Sequence, residues 1–238
     1  MLENIIPADR SLIIACDLRV QNLGNLVSKT AEIEEISAYK IGLEVVSGFG
    51  LESAAEIIRS CSNKKIIWDY QKAGNDTQEQ GEAFASLAAQ AEMDAVIIFP
   101  QKEANPYEDW IKAALDFNVP VIFGAEMTYD KPIHEGGDVD QGSYSRMFDI
   151  AIDLGVRNFV VPGNKPDRVS FYRRYFSSQL NEDFALFAPG FVSQGGDISE
   201  TGRVAGKKWH AIVGRAVINA ANPKVAARKY SRQITNES

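Results

Sequence analysis

The sequence predicts an α/β fold, namely a single-domain (β/α)8 TIM barrel over residues 1–238. Short apolar runs of strand length recur roughly every 25 to 35 residues, and amphipathic stretches of helical period separate them. Eight such runs can be counted, and 238 residues suit one large barrel domain. An open doubly wound sheet is the alternative, but no glycine-rich turn follows the first run.

The predicted strands are short runs rich in Ile, Val and Ala, of the length expected for buried parallel strands. They are Leu12–Cys16, Ala38–Ile41, Lys65–Trp68, Ala95–Phe99, Val119–Phe123, Asn158–Val161, Phe184–Ala188 and Ala211–Val213. Their regular alternation with helical stretches predicts right-handed βαβ crossovers.

The predicted helices carry apolar residues at helical spacing. They are Thr77–Ala91, Pro106–Phe117, Tyr144–Leu154, Asp167–Gln179 and Pro223–Gln233. In the first helix, Phe84, Leu87 and Ala88 fall along one face, and Thr77 is the predicted N-cap. The polar stretch Met127–Ser143 after the fifth strand is predicted to be a functional loop.

Composition limits the class of protein. A net charge of −7 without a basic block argues against nucleic-acid and membrane-surface partners, and no apolar run is long enough to span a bilayer. Without a recognisable secretory signal, the two cysteines, Cys16 and Cys61, predict a reduced, cytoplasmic protein in which both thiols are buried. The isolated histidines, His134 and His210, predict structural roles and no metal site.

Polar side chains follow the predicted strands at their carboxyl ends, where barrel active sites lie. They are Asp17, Lys40, Asp69, Glu126, Thr128, Asn164, Lys165, Gln194 and Arg215. Lys40 lies within a strand, where an ammonium is costly unless paired, so closure of the barrel should bring it near Asp69 and Asp17. A purely structural ion pair is the alternative.

Some polar and aromatic residues near these strand ends have simpler interpretations. Glu126 is interpreted as a structural acid beneath the site, and Arg168 as a solvated surface charge. Lys165 has two interpretations, steering of an anionic substrate or an ordinary surface charge. Trp110 and Trp209 are interpreted as packing residues.

The stretch from Ile66 to Asp76 is the most informative part of the chain. A buried strand ends at Asp69, and Lys72 and Asp76 follow within seven residues. Alternating charges are expensive to bury and do not improve packing, so they indicate a chemical role. A charged surface loop is the alternative.

Two glycine-rich loops predict a phosphate site after the seventh and eighth strands. Their residues are Pro189, Gly190, Gln194, Gly195 and Gly196 in one loop, and Gly214 and Arg215 in the other. The glycines let backbone N–H groups approach an anion, and the guanidinium of Arg215 adds a planar cation that can donate two parallel hydrogen bonds.

In order and spacing, these motifs resemble the orotidine 5'-monophosphate decarboxylase family. The matching segments are Ala15-Cys16-Asp17-Leu18, Tyr39-Lys40-Ile41-Gly42, residues 69–76, Glu126-Met127-Thr128, Pro189-Gly190 with Gln194-Gly195-Gly196, and Ile212-Val213-Gly214-Arg215. The resemblance implies decarboxylation of orotidine 5'-monophosphate to UMP in pyrimidine biosynthesis. It also implies a homodimer with shared active sites and no metal or organic cofactor.

The resemblance further implies roles for individual residues. Lys40, Asp69, Lys72 and Asp76 would form the charge array, with Lys72 as the proton donor to C6 of the pyrimidine and Asp76 reaching into the neighbouring subunit. The substrate-binding residues would be Asp17 and Lys40 at the ribose, Thr77 from the partner chain, Thr128 at the pyrimidine edge, and Gln194, Gly195, Gly214 and Arg215 at the phosphate.

The chain departs from the family pattern in one place. The family spaces its charges Asp-x-Lys-x-x-Asp, whereas this chain has one extra residue in each gap. We favour a gapped alignment in which a bulge or turn at Tyr70-Gln71 absorbs the first extra residue. An ungapped alignment would instead put Gln71 and Gly74 in the places of the lysine and second acid.

Two other functions remain open at the level of sequence. A related branch, 3-keto-gulonate 6-phosphate decarboxylase and hexulose-phosphate synthase, uses Mg²⁺ and generally carries an acid at the place of Lys40. A lysine there would repel the metal. The other possibility is a non-catalytic nucleotide-phosphate binder, which the altered spacing would support.

Overall fold

The strands close into one parallel barrel in the order β1 to β8, and β8 pairs with β1. The computed structural model describes residues 5–17, 22–70, 73–101, 106–128 and 141–235. The strands in these ranges are β1 Arg10–Ala15, β2 Ile36–Ile41, β3 Lys65–Asp69, β4 Ala95–Ile98, β5 Val121–Gly124, β6 Asn158–Val160, β7 Ala185–Pro189 and β8 Trp209–Val213. The predicted (β/α)8 barrel is confirmed, and the eight predicted strands differ by one or two residues at their ends.

Helices follow the strands around the barrel. They are α1 Leu23–Thr30, α2 Leu43–Phe49, α3 Leu51–Cys61, α4 Gln78–Gln90, α5 Pro106–Asp116, α6 Gln141–Asp153, α7 Pro166–Leu180, α8 Ile198–Val204, α9 Arg215–Ile218 and α10 Pro223–Thr235. The five predicted helices correspond to α4, α5, α6, α7 and α10. Sequence reasoning missed α1, α2, α3, α8 and α9, of which α9 has only four residues and α2 is separated from α3 by Gly50.

The apolar residues divide into two layers by strand alternation. Ile13 and Ala15 point into the barrel, where they join an inner cluster that includes Ile5 and Ile6. Leu12 packs instead in the outer cluster between the strands and the helices. The inner cluster occupies the barrel interior below the rim where the strands end.

Two sequence predictions about packing, the burial of Leu87 and of Cys61, are wrong, and the predicted N-cap at Thr77 is confirmed in position only. Leu87 is 51% exposed, because α4 packs on α5 through a face that contains Gly81, Phe84 and Ala88. Thr77 stands at the N-cap position, but its side chain makes no capping hydrogen bond. Cys61 is only partly buried.

No helix in the described part of the chain is both long and apolar enough to cross a bilayer. Most of the predicted loop Met127–Ser143, together with His134, lies outside the described residues.

Candidate active site

The carboxyl ends of the strands surround a cavity of about 310 Å³. Its polar lining includes Asp17, Lys40, Asp69, Glu126, Thr128, Gln194 and Arg215. These side chains come from the ends of six different strands or the loops that follow them. The barrel therefore brings together most of the polar residues that the sequence predicted for the site.

Lys40 is the buried cation of the cavity. It faces inward from β2, and its residue is only 7% exposed. Its Nζ donates to Oδ2 of Asp69 at 2.7 Å and lies 3.6 Å from Oδ1 of Asp17. Burial alone lowers the pKa of Lys40, but the carboxylates of Asp69 and Asp17 outweigh it and raise the pKa above its ordinary value. The predicted ion pairs are confirmed, and the two carboxylates favour the ammonium form of Lys40.

The two carboxylates have different surroundings. Asp69 is the last residue of β3 and its side chain is 12% exposed, whereas the Asp17 side chain, just beyond β1, is 53% exposed. Gly42 and Gly214 lie beside Asp17, since a Cβ on either would come within about 3.5 Å of its carboxylate oxygens. These small residues leave Asp17 open to the cavity, where it can accept hydrogen bonds from a ligand.

The segment after Asp69 carries the remaining charges of the motif. Lys72, the predicted proton donor, lies outside the described residues. The N–H of Ala73 donates to the carbonyl of Tyr70 at 2.8 Å, so the chain on either side of positions 71 and 72 is drawn together. Gly74 has a φ of +87°, and a Cβ there would come within 3.0 Å of Ile98 and Tyr107. Position 74 therefore has no room for an acidic side chain.

Asp76 and Thr77 do not line the cavity of their own chain. Both are exposed, and the Asp76 carboxylate accepts the N–H of Thr77 at 2.9 Å. The indole N–H of Trp110 donates to both of their carbonyls, at 3.2 and 3.0 Å. Asn75 ties the same loop to the end of β4, since its Oδ1 accepts the N–H of Gln101 at 2.7 Å. The loop is thus firmly held and presents Asp76 outward.

Trp110 combines packing with a role that sequence reasoning missed. Its ring is buried, as predicted, and a Cβ at Gly81 would come within 2.7 Å of it. The hydrogen bonds to the Asp76 loop join positions more than 30 residues apart, and no local pattern signals them. The signal that was available was a tryptophan with a polar N–H on an otherwise apolar face.

The loops predicted to hold phosphate lie at the cavity, and five of their seven predicted residues line it. Pro189, Gly190, Gln194, Gly214 and Arg215 line it. Two further members of the predicted set, Gly195 and Gly196, do not line it. Their N–H groups donate within the loop, to the carbonyls of Val192 at 3.1 Å and Gly190 at 3.1 Å, rather than facing the cavity.

Arg215 and Gly190 are the best placed members of this group. Arg215 is exposed, and no carboxylate in the described part of the chain pairs with it, so its guanidinium can receive an anion. Gly190 has a φ of +109°, and a Cβ there would come within 3.1 Å of Asn164 and Thr128. Only glycine allows these neighbours to pack so closely at the rim.

The buried Glu126 forms an ion pair with the partly buried Arg168 at the same rim. Oε2 of Glu126 lies 2.7 Å from Nη2 of Arg168 and accepts the hydroxyl of Tyr172 at 2.7 Å. Arg168 also stacks on the rings of Phe171 and Tyr172, so its predicted role as a solvated surface charge is wrong. Burial and the adjacent Glu126 raise the pKa of Tyr172, which keeps the phenol protonated as a donor.

His210 lies away from the cavity and is structural, as predicted. It is buried in β8, and its Nδ1 lies 2.7 Å from Oγ of Ser11. Burial lowers the pKa of His210 to about 3, so the ring is neutral. Within the described ranges, no group of three or more His, Cys, Asp or Glu side chains could hold a metal ion.

The chain is similar to known proteins over nearly its whole length. A family model described as Orotidine 5'-phosphate decarboxylase / HUMPS family matches residues 10–230. The orotidine 5'-phosphate decarboxylase of Methanococcus maripaludis is 27% identical over 224 residues, which are 94% of this chain and 96% of that protein. The protein of the same name from Methanosarcina barkeri is 28% identical over 205 residues, or 86% of each chain.

Solved structures show the same similarity. Orotidine 5'-monophosphate decarboxylase from Methanocaldococcus jannaschii, complexed with the inhibitor BMP, matches with a TM-score of 0.79 and 26% identity over 95% of this chain and 99% of that chain. Orotidine 5'-phosphate decarboxylase from Pyrococcus horikoshii matches with a TM-score of 0.76 over 94% of this chain and 100% of that chain. Its identity is 22%, so it supports the fold alone.

Proposed function

The chain belongs to the Orotidine 5'-phosphate decarboxylase / HUMPS family, and we propose that it converts orotidine 5'-monophosphate to UMP and carbon dioxide in pyrimidine biosynthesis. It is a carboxy-lyase within that family. The observation that carries the proposal is the ammonium of Lys40, which is buried between Asp69 and Asp17 in a cavity that also contains Thr128 and Arg215.

The polar groups of the cavity match the three parts of a nucleotide. In this proposal Asp17 and Lys40 hold the ribose hydroxyls, Thr128 reads the pyrimidine edge, and Gln194 and Arg215 hold the phosphate, with Gly190 and Gly214 close by. The cavity of about 310 Å³ is of a size that encloses a small ligand. A nucleoside monophosphate therefore suits the site better than a neutral sugar.

The chemistry explains why charged side chains are needed. When the bond between C6 and the carboxylate breaks, the electron pair stays on C6 in the plane of the ring, without π delocalisation. A nearby cation stabilises that charge, and an ammonium then gives its proton to C6. We assign this role to Lys72, and Asp69 would repel the substrate carboxylate until carbon dioxide leaves. With a cation in place, the reaction needs no cofactor as an electron sink.

The gapped alignment of the charge motif is part of this proposal. Two features support it: the Tyr70–Ala73 hydrogen bond, which fits a turn that absorbs an extra residue, and the lack of room for a side chain at Gly74. In this alignment Asp76, and not position 74, is the second acid. The ungapped alternative would leave glycine at the place of the second acid, at a position where the fold has no room for an acidic side chain.

A homodimer with shared sites completes the proposal. Asp76 and Thr77 face outward from a loop that Trp110 and Asn75 hold in place. Residues that are rigidly presented but distant from their own cavity suit a role in the cavity of a second copy. In the dimer, Asp76 would complete the charge array of the partner subunit, and Thr77 would assist at its ribose.

The Mg²⁺-dependent sugar-phosphate branch of the family is the rival enzyme. Lys40 already occupies the space between two carboxylates that a metal ion would need, with Nζ 2.7 and 3.6 Å from their oxygens. A divalent cation placed there would meet an ammonium at close range. This arrangement favours the metal-independent decarboxylase.

The remaining parts of the proposal concern organisation and location. We assign residues 1–238 to one domain, because all described strands belong to one barrel. We place the protein in the cytoplasm, since Cys16 and Cys61 are both unpaired thiols and the chain is acidic. The acidic charge also argues against nucleic acid and membranes as partners.

One assay tests the function and separates the rivals. Purified protein is incubated with orotidine 5'-monophosphate, with and without EDTA, and release of carbon dioxide is followed. We expect turnover that EDTA does not change. Turnover of a sugar phosphate that EDTA abolishes would favour the metal-dependent branch, and background rates with every substrate would favour the non-catalytic binder.

A further inference from the structure

Three consecutive residues just beyond β5, residues 126–128, are held by side chains that follow β6. Nζ of Lys165 donates to the carbonyl of Met127 at 3.1 Å, and Nδ2 of Asn164 donates to the carbonyl of Thr128 at 2.9 Å. Nε of Arg168 donates to Glu126 at 2.8 Å. Residues 126–128 all line the cavity, so this clamp fixes one wall of it.

Glu126 is the centre of the clamp. Its side chain is only 2% exposed, and Oε2 accepts from Arg168 and from the hydroxyl of Tyr172. Oε1 is buried and has no hydrogen-bond donor among the described residues, and Nζ of Lys165 lies 3.7 Å from it. A buried, half-satisfied carboxylate is unfavourable for packing alone, so its presence at the cavity wall indicates a role in the site.

The clamp acts on Thr128. The carbonyl of Thr128 is fixed by Asn164, and its methyl group lies within 3.1 Å of the place where a Cβ on Gly190 would stand. Thr128 is thus held between the loops that follow β6 and β7. A shift of residues 126–128 would move Thr128 without disturbing Arg215, which lies after β8 on another part of the rim.

We propose that Glu126 is a positioning residue for base recognition: together with Arg168 and Tyr172, it fixes residues 126–128 so that Thr128 meets the edge of the pyrimidine. The inference rests on the proposed function, because that function assigns base reading to Thr128. It predicts that Glu126 controls affinity for the base and not for the sugar phosphate.

The test compares two ligands by calorimetry on the full-length protein. UMP carries the base, and ribose 5-phosphate lacks it. In Glu126→Gln, which removes the charge but keeps the shape, we expect UMP to bind about tenfold more weakly, because a misplaced hydrogen bond costs roughly that much. The affinity for ribose 5-phosphate should change by less than about twofold. Glu108→Gln, the same change in a partly exposed ion pair with Lys112, is the control and should alter neither affinity.

A second variant guards against misfolding. Tyr172→Phe keeps both charges and removes one donor to Glu126. It should weaken the binding of UMP by about threefold and leave the binding of ribose 5-phosphate unchanged. Equal losses for both ligands, or no loss in either variant, would overturn the inference. The proposed function fails separately, if wild-type protein does not release carbon dioxide from orotidine 5'-monophosphate.

Discussion

The indole N–H of Trp110 lies 3.0 Å from the carbonyl oxygen of Thr77, and this contact anchors the loop that carries Asp76. The donor comes from α5, whereas the loop precedes α4, so the packing of two helices fixes the loop. If Asp76 serves a neighbouring subunit, that packing also sets the geometry of the shared site.

Trp110→Phe tests this anchoring. The variant loses the shared hydrogen bond to Asp76 and Thr77, and we expect kcat/KM for decarboxylation to fall about tenfold because the acid is misplaced. Trp209→Phe is a matched control, since Trp209 is equally buried but its indole N–H has no partner among the described residues. Steady-state kinetics of both variants checks the prediction, and equal activities would contradict it.

The second prediction concerns the buried ion pair of Lys40. Lys40→Met removes a cation beside two carboxylates, and we expect the free energy of unfolding to fall by about 3 kcal/mol. The double variant Lys40→Met/Asp69→Asn should recover most of that loss but no activity. Urea denaturation of the single and double variants measures the coupling. Additive losses in the double variant would mean that the pair contributes nothing.

Arg215 provides the third prediction. Arg215→Ala removes the exposed guanidinium at the cavity, and we expect kcat/KM to fall by about 100-fold, or roughly 3 kcal/mol of transition-state stabilisation. Arg203→Ala, on an exposed arginine of α8 that does not line the cavity, should have no effect. Near wild-type kinetics in Arg215→Ala would reject the phosphate role.

The fourth prediction is a dependence of stability on pH. Burial lowers the pKa of His210 to about 3, whereas an unfolded chain has a histidine pKa of about 6.5. Between these values only the unfolded state binds the proton, so stability is lost as pH falls from about 6.5 toward about 3, by ~1.4 kcal/mol per pH unit. His210→Gln should lack this contribution. Urea denaturation across that range checks the difference, and identical slopes would show that His210 titrates normally when folded.

Much of the fold could be predicted because it depends on local patterns. Each strand is a short apolar run, and strand alternation decides that Ile13 faces inward while Leu12 faces the helices. The pairing of Lys40 could also be predicted, since a buried ammonium requires an acid and barrel closure supplies one. The predicted burial of Leu87 is wrong because the buried face of α4 is set by Trp110, which packs against Gly81 from another helix.

The rest of the site depends on contacts that no sequence spacing encodes. Arg168 and Glu126 are 42 positions apart, and only the adjacency of β5 and β6 brings them together. The backbone N–H groups of Gly195 and Gly196 donate to carbonyls of their own loop instead of facing the cavity. The loop conformation decides this, and glycine is compatible with many conformations. The sequence motif places Gly195 and Gly196 at a phosphate site and Arg168 is interpreted as a surface charge, but the tertiary structure decides what each residue contacts.

The central claim is that an ammonium at position 72 gives its proton to C6 of the pyrimidine. The most direct measurement is carbon dioxide release from orotidine 5'-monophosphate by wild type and by Lys72→Ala, with UMP affinity measured on the same samples. We predict that the variant loses at least about 1,000-fold in kcat, or roughly 4 kcal/mol, while it still binds UMP. Undiminished turnover in Lys72→Ala would contradict the account.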